Sequence, residues 1–72
     1  MHIFINGKGH RIEAEEITYE EIARLAEEGN QPSVIYKIRK GKDVYRTGCV
    51  MPGKVLKIED GMMINAIETG NA

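Results

Sequence analysis

Cysteine is nearly absent: Cys49 is the single one among 72 residues. No intrachain disulfide can form, and no disulfide framework of a small secreted scaffold exists. Two histidines accompany it, and together they lack the C-x-x-C or H-x-x-x-H spacing of a zinc site. An excess of one charge is missing as well. Ten basic residues stand against eleven acidic ones, for a net charge of −1. That balance argues against the basic footprint of a nucleic-acid binder. No apolar run approaches the roughly 20 residues of a transmembrane helix. The opening "MHIFI" is too short for the apolar region of a signal peptide. The chain also shows no internal repeat, low-complexity tract or linker. These absences lead to the expectation of a soluble cytoplasmic protein with neither nucleic acid nor membrane as partner.

Length narrows the class further. Seventy-two residues allow one domain, residues 1–72, with 69–72 read as a short tail. Such a chain buries only roughly 60% of its unfolded surface, which leaves little room for a pocket enclosing substrate and cofactor. No nucleophile–base pair stands out, and "NGKG" lacks the strand–loop–helix context of a phosphate loop. The expectation is a non-enzymatic binding, carrier or interaction module that needs no cofactor.

What is present is periodicity. Met1, Ile3 and Ile5 alternate with His2 and Phe4, the pattern of a half-buried strand. "NGKG" then signals a hairpin turn and "HRIEA" the return strand. A loop at Gly7-Lys8 pairs Ile3 with Ile12 and Met1 with Ala14. A loop at Asn6-Gly7 pairs Met1 with Ile12. Both registers keep these residues on one face, with His2 and His10 at the surface or edge.

"ITYEEIARLAEEGN" reads as a helix opened by a capping box, Thr18 with Glu21. Ile22, Leu25 and Ala26 form its apolar stripe, while Glu20, Glu21, Arg24, Glu27 and Glu28 face water. Ile17 staples onto the first turn, Gly29 suits the left-handed residue that ends the helix, and Pro32 prevents resumption. "SVIYKIRKGKDVYRTG" predicts a second hairpin, with Val34, Tyr36 and Ile38 facing inward and Ile35 outward. "CVMPG" breaks the pattern, "KVLKI" is a short strand, "EDG" a tight turn, and "MMINAI" the final strand. Its alternation turns Met62, Ile64 and Ala66 toward the helix and Met63, Asn65 and Ile67 away. The expected core is Ile3, Ile5, Ile12, Ile22, Leu25, Ile64 and Ala66.

This element order resembles the ubiquitin-like β-grasp, an α+β fold with a mixed sheet of four to five strands packed on one helix. "MHIFI" before a Gly/Lys turn looks like the start of ubiquitin. The set "ING…ITYEEIARLA…PGKVLKIEDGMMINA" is similar to the prokaryotic multiubiquitin-type domains. Those share an early Asn-Gly turn, a T-Y-E-E helix start, a late Pro-Gly and an Asp-Gly-Met turn into the last strand. The resemblance spans essentially the whole chain. It implies a bacterial protein modifier whose partners are ubiquitin-activating-like and conjugating-like enzymes, a deubiquitinase-like metallopeptidase and a protein target. On that reading Gly70 is the conjugation residue, since no side chain fits where the backbone meets the nucleotide and the catalytic thiol. Asn71 and Ala72 are then a processed extension. The chain departs from the family in carrying one domain rather than several, and a lone glycine where ubiquitin has Gly-Gly. Two other readings share the fold: a sulfur carrier with a thiocarboxylate at its terminal glycine, and a non-conjugated adaptor whose Gly70 belongs to an ordinary frayed end.

A second candidate site lies on the sheet face away from the helix. Phe4, Ile35, Met63 and Ile67 would cluster there, more apolar surface than a small monomer exposes by chance, and suited to binding a partner. The competing reading is a set of scattered surface apolars, or a reversed third strand that buries Ile35. Cys49 is expected to be a small buried hydrophobe rather than a reactive thiol.

Overall fold

The computed structural model describes residues 1–68. One helix packs on one face of a mixed five-stranded sheet, an α+β arrangement, with a separate two-stranded ribbon closing one side of the core. β1 (His2–Ile5) and β2 (Lys8–Arg11) form the first hairpin. Asn6 and Gly7 occupy its two-residue loop at φ 52 and 81. Positive φ at both positions matches the twist of the flanking strands, hence the preference for Asn-Gly there. Ile3 therefore faces His10, and the Ile12 N–H reaches the Met1 carbonyl at 2.7 Å, the second of the two anticipated registers. Ile3 and Ile5 are buried, but Met1 and Ala14 are exposed because pairing ends at the mouth of the hairpin.

The helix, α1 (Tyr19–Ala26), follows a short strand, β3 (Glu16–Thr18), that the sequence pattern did not reveal. Thr18 caps it, its hydroxyl accepting from the Glu21 N–H at 3.0 Å. The reciprocal half of the capping box is not made. The Glu21 carboxylate instead takes Arg24, one turn along. Termination also differs from expectation. Glu27, not Gly29, adopts the left-handed conformation (φ 60), and its N–H bonds the Ala23 and Arg24 carbonyls. These contacts offset the roughly 1–2 kcal/mol that a side chain costs in that region. Tyr19 is buried beside Ile22, and its hydroxyl donates to the Pro32 carbonyl at 2.6 Å, tying the helix start to the chain entering the next strand.

β4 (Ser33–Gly41) and β5 (Val44–Val50) form the long second hairpin. β5 continues through Cys49 and Val50, past the anticipated break, because Pro52 and Gly53 act only after the pairing is complete. Lys40 is the extra residue of a bulge near the hairpin tip. β6 (Val55–Lys57) leaves the main sheet and pairs antiparallel with β3, while β7 (Met63–Ile67) enters its centre. The strand order is β2-β1-β7-β4-β5, parallel between β1 and β7 and antiparallel elsewhere.

The parallel pair is short. Its register matches Phe4 with Met63 and Ile5 with Ile64, and side chains complete the ladder at both ends. At one end the Asp60 carboxylate accepts from the His2 N–H at 2.7 Å, while the Gly61 N–H reaches the His2 carbonyl at 2.7 Å. At the other end the Asn6 amide behaves as an extra peptide group. Its oxygen accepts from the Ala66 N–H at 2.8 Å and its nitrogen donates to the Ala66 carbonyl at 3.1 Å.

Of the expected core, Ile3, Ile5, Ile22, Ile64 and Ala66 are buried, whereas Ile12 and Leu25 are only half-buried at its edge. Val34, Ile38 and Met62 face inward as their alternation requires. Tyr36 lies across Gly48, where a Cβ would come within 2.5 Å of its hydroxyl, so this strand position needs glycine for close approach. Ile17, expected to staple onto the first turn, is part of the core, and Tyr19, Val50, Leu56 and Ile58 are core residues that the sequence pattern missed. Ile17 and Leu56 face each other across the ribbon.

Two stability measurements check this packing. Ile22→Ala, at a fully buried site, is expected to cost about 2–5 kcal/mol in denaturant unfolding, and Leu25→Ala distinctly less. Equal costs would mean that the helix docks differently. Asn6→Gly retains the turn conformation and removes only the amide, so its expected loss of about 1–2 kcal/mol measures the Asn6–Ala66 bonds. An unchanged midpoint would show that water replaces them without penalty.

Candidate functional site

The face opposite the helix is built by the outward residues of four adjacent strands. Phe4 on β1 is paired with Met63 on β7, and Met63 with Lys37 on β4. One step along, Asn65 faces Ile35, and Ile35 faces Cys49 on β5. Ile67 follows, opposite Ser33. Ile35 thus sits diagonally between Met63 and Ile67, close enough for large side chains to share one surface. Exposure rises from Met63 at 40% through Ile35 at 46% to Ile67 at 56%, while Phe4 is half-buried with the His2 ring 5.2 Å away. A shallow groove of about 380 Å³ runs between Phe4, Met63 and Asn65 toward Gly7 and Gly61. All four candidate residues therefore occupy one face, interrupted by the polar Asn65 and flanked by Lys37.

Sequence reasoning missed how far this face extends. Cys49 is exposed, not buried, because it falls on the outward period of β5 opposite Ile35. Tyr45 lies on the same face, with the Lys37 ammonium 4.4 Å above its ring, a favourable cation–π placement. Alternation back from Cys49 through Thr47 to Tyr45 was the available signal, obscured by the expectation that the strand stops at Gly48.

Near-neutral overall charge conceals two oppositely charged stretches of the chain. The second hairpin carries Lys37, Arg39, Lys40, Lys42 and Arg46 against Asp43 alone. The region entering and forming the helix carries Glu13, Glu15, Glu16, Glu20, Glu21, Glu27 and Glu28 against Arg24. Part of the basic charge is used internally. Glu59, in the connection to β7, accepts from Lys40 Nζ at 2.9 and 3.1 Å and from Arg46 Nη2 at 3.0 Å. The Lys40 hydrogen bonds, and then the charges of both cations, hold the Glu59 carboxyl below its ordinary pKa.

Among the described residues, no cluster of His, Cys, Asp or Glu is placed to hold a metal ion. His2 lies beside Phe4, whereas His10 is half-buried opposite Ile3 with Nε2 buried and without a hydrogen-bond partner. Neither the histidines nor Cys49 are brought together. Gly70, Asn71 and Ala72, the conjugation residue and processed extension implied by the resemblance, lie outside the described residues. No helix among the described residues is long and apolar enough to cross a membrane. No protein-family model, curated protein or solved structure matches the chain.

The depressed Glu59 pKa sets the sign of a pH effect. Its ion pairs stabilise the fold fully above the unfolded carboxyl value of about 4.3, and that contribution disappears as pH falls through the lower folded value. Glu59→Gln is therefore expected to reduce stability at neutral pH and to flatten the acid limb of the melting profile. Parallel acid limbs for the two proteins would show that the exposed ion pairs contribute nothing.

Proposed function

We propose that this chain is a ubiquitin-like β-grasp modifier of a bacterial cytoplasm, recognised through the outer sheet face and conjugated through Gly70. The observation that carries the reading is the position of β7. The last described strand lies in the centre of the sheet, parallel to the first, and ends with Ile67 exposed beside Met63 and Ile35. A partner seated on that apolar face would contact the strand from which the chain continues toward Gly70. The strand order and single packed helix are compatible with a β-grasp, and the quoted motifs fit a modifier of that fold.

The chemistry belongs to the partner enzymes. A metallopeptidase removes Asn71-Ala72, exposing the Gly70 carboxylate. An activating enzyme lets that carboxylate attack the α-phosphate of ATP, expelling pyrophosphate and leaving an acyl-adenylate. An enzyme thiolate displaces AMP to form a thioester, and an amine of the target displaces the thiol to form an amide. Gly70 serves because a side chain would collide where the backbone threads to the adenylate.

Intact-mass spectrometry of the chain, incubated with its peptidase and then with activating enzyme and ATP, tests the sequence of events. Loss of Asn71-Ala72 followed by an adduct through Gly70 is expected. Gly70→Arg should fold normally and form no adduct, while Ile67→Arg should keep its melting temperature and lose binding to the enzymes. A chain that keeps Asn71-Ala72 and forms no adduct would instead identify a non-conjugated adaptor. Unfolding by Ile67→Arg would contradict the outward facing of that residue.

A further inference from the structure

We propose that two copies of this chain associate edge to edge through β5, joining their sheets into one across a two-fold axis at Thr47. This inference is independent of the modifier reading. It rests on the contrast between the two edges of the sheet. β2 spans four residues and displays exposed Lys8 and Arg11, the shortness and charge by which proteins prevent unwanted strand pairing. β5 spans seven residues without a proline, and the hairpin's bulge residue, Lys40, belongs to β4. Its one charged side chain, Arg46, is already engaged by Glu59 at 3.0 Å. Val44 and Tyr45 are large, apolar-bodied and exposed. The outer side of β5 thus offers a row of backbone donors and acceptors with none of the protection found on β2.

The occupant follows from the residues and from charge. Antiparallel pairing centred on Thr47 sets Thr47 opposite Thr47 and Tyr45 opposite the small Cys49 of the second copy. On the inner face Val44 meets Val50, and Arg46 falls opposite Gly48, the residue that leaves its position clear for Tyr36. Hairpin-tip charges choose the orientation. Parallel pairing would bring the two basic tips side by side. Antiparallel pairing puts each tip about five residues from the axis, so the tips lie roughly 33 Å apart, well beyond the ~8 Å screening length at physiological salt. In that register the Val44–Val50 pairing brings the tip, with Lys42 at its turn, beside the Met51–Gly53 segment of the second copy. The Gly53 N–H is held by the Glu20 carboxylate at 2.9 Å, at the acidic first turn formed by Glu20 and Glu21. Each basic tip therefore meets an acidic helix start, twice per dimer. The two-fold consumes both β5 edges, so assembly closes at two copies rather than growing into a filament.

Sedimentation equilibrium of the full chain under reducing conditions, across a concentration series reaching the millimolar range, should give a mass rising from monomer to dimer. Thr47→Glu places like charges opposite each other at the axis, while within each copy the new carboxylate faces Lys37. It should abolish the dimer without lowering the melting temperature, because Thr47 is exposed. A second variant fixes the register. Opposed residues of an antiparallel pair have Cα atoms roughly 4.5–5.5 Å apart, within disulfide reach. Thr47→Cys in a Cys49→Ser background should therefore oxidise to a covalent dimer, and Lys8→Cys in the same background should remain monomeric. A monomer throughout the series overturns the proposal. So does a dimer that survives Thr47→Glu and cross-links no better at Thr47 than at Lys8, which would move the interface to the outer apolar face.

Discussion

The parallel pairing of the first and last described strands is the constraint on which the rest of this structure depends. Parallel neighbours cannot be joined by a tight turn, so the chain between them must cross from one end of the sheet to the other. Here the segment between Ile5 and Met63 makes that crossing. It contains a return strand, a helix, a long hairpin and both strands of a separate ribbon. The pairing is short, and Asp60 and Asn6 lengthen it by presenting side-chain groups where the backbone ladder stops. Asn6 has two duties at once: it adopts the positive φ of the hairpin turn and caps the ladder of β7.

Placing β7 in the centre settles the character of both faces. One face receives α1 and the residues of the ribbon, and fills with isoleucine, valine and methionine. The other receives no element of the described chain, so Met63, Ile35 and Ile67 stay accessible in a domain too small to cover both sides. The ribbon compensates for the brevity of the helix, an element of eight residues, too short to be stable alone. Ile17 and Leu56 from the ribbon, with Ile58 just after it, enclose the side of the core that α1 leaves open.

Electrostatics follows the same division. Acidic residues gather before and along the helix, basic ones along the second hairpin, and the two sets cancel in the sum. Glu59 is the acidic residue carried to the hairpin, where it holds Lys40 and Arg46 and so fixes the hairpin to the turn that feeds β7. The same contact removes the only charge on β5 from its exposed edge. Anchoring the hairpin and leaving its edge bare are consequences of one ion-pair cluster.

Much of this was legible in the residues themselves. Alternation assigned Ile3, Ile5, Val34, Ile38, Ile64 and Ala66 to the inner face, and Phe4, Ile35, Met63 and Ile67 to the outer one, because strand facing is a local property with a period of two. Turn chemistry located the first turn within "NGKG" but left its two loops open, and the hydroxyl of Thr18 marked the helix start. Of the ribbon, "KVLKI" was legible as a short strand, but β3 and its pairing were not, since a three-residue strand shows no period and forms only when residues about forty positions apart meet. Nor was Tyr19, whose burial rests on the Pro32 carbonyl, or the exposure of Cys49, which followed from pairing two residues beyond a plausible break. Local alternation and composition were enough to say which residues share a face and which stretches carry which charge. Which strands are neighbours and which edge stays open came only with the folded chain, because those depend on contacts between residues far apart in it.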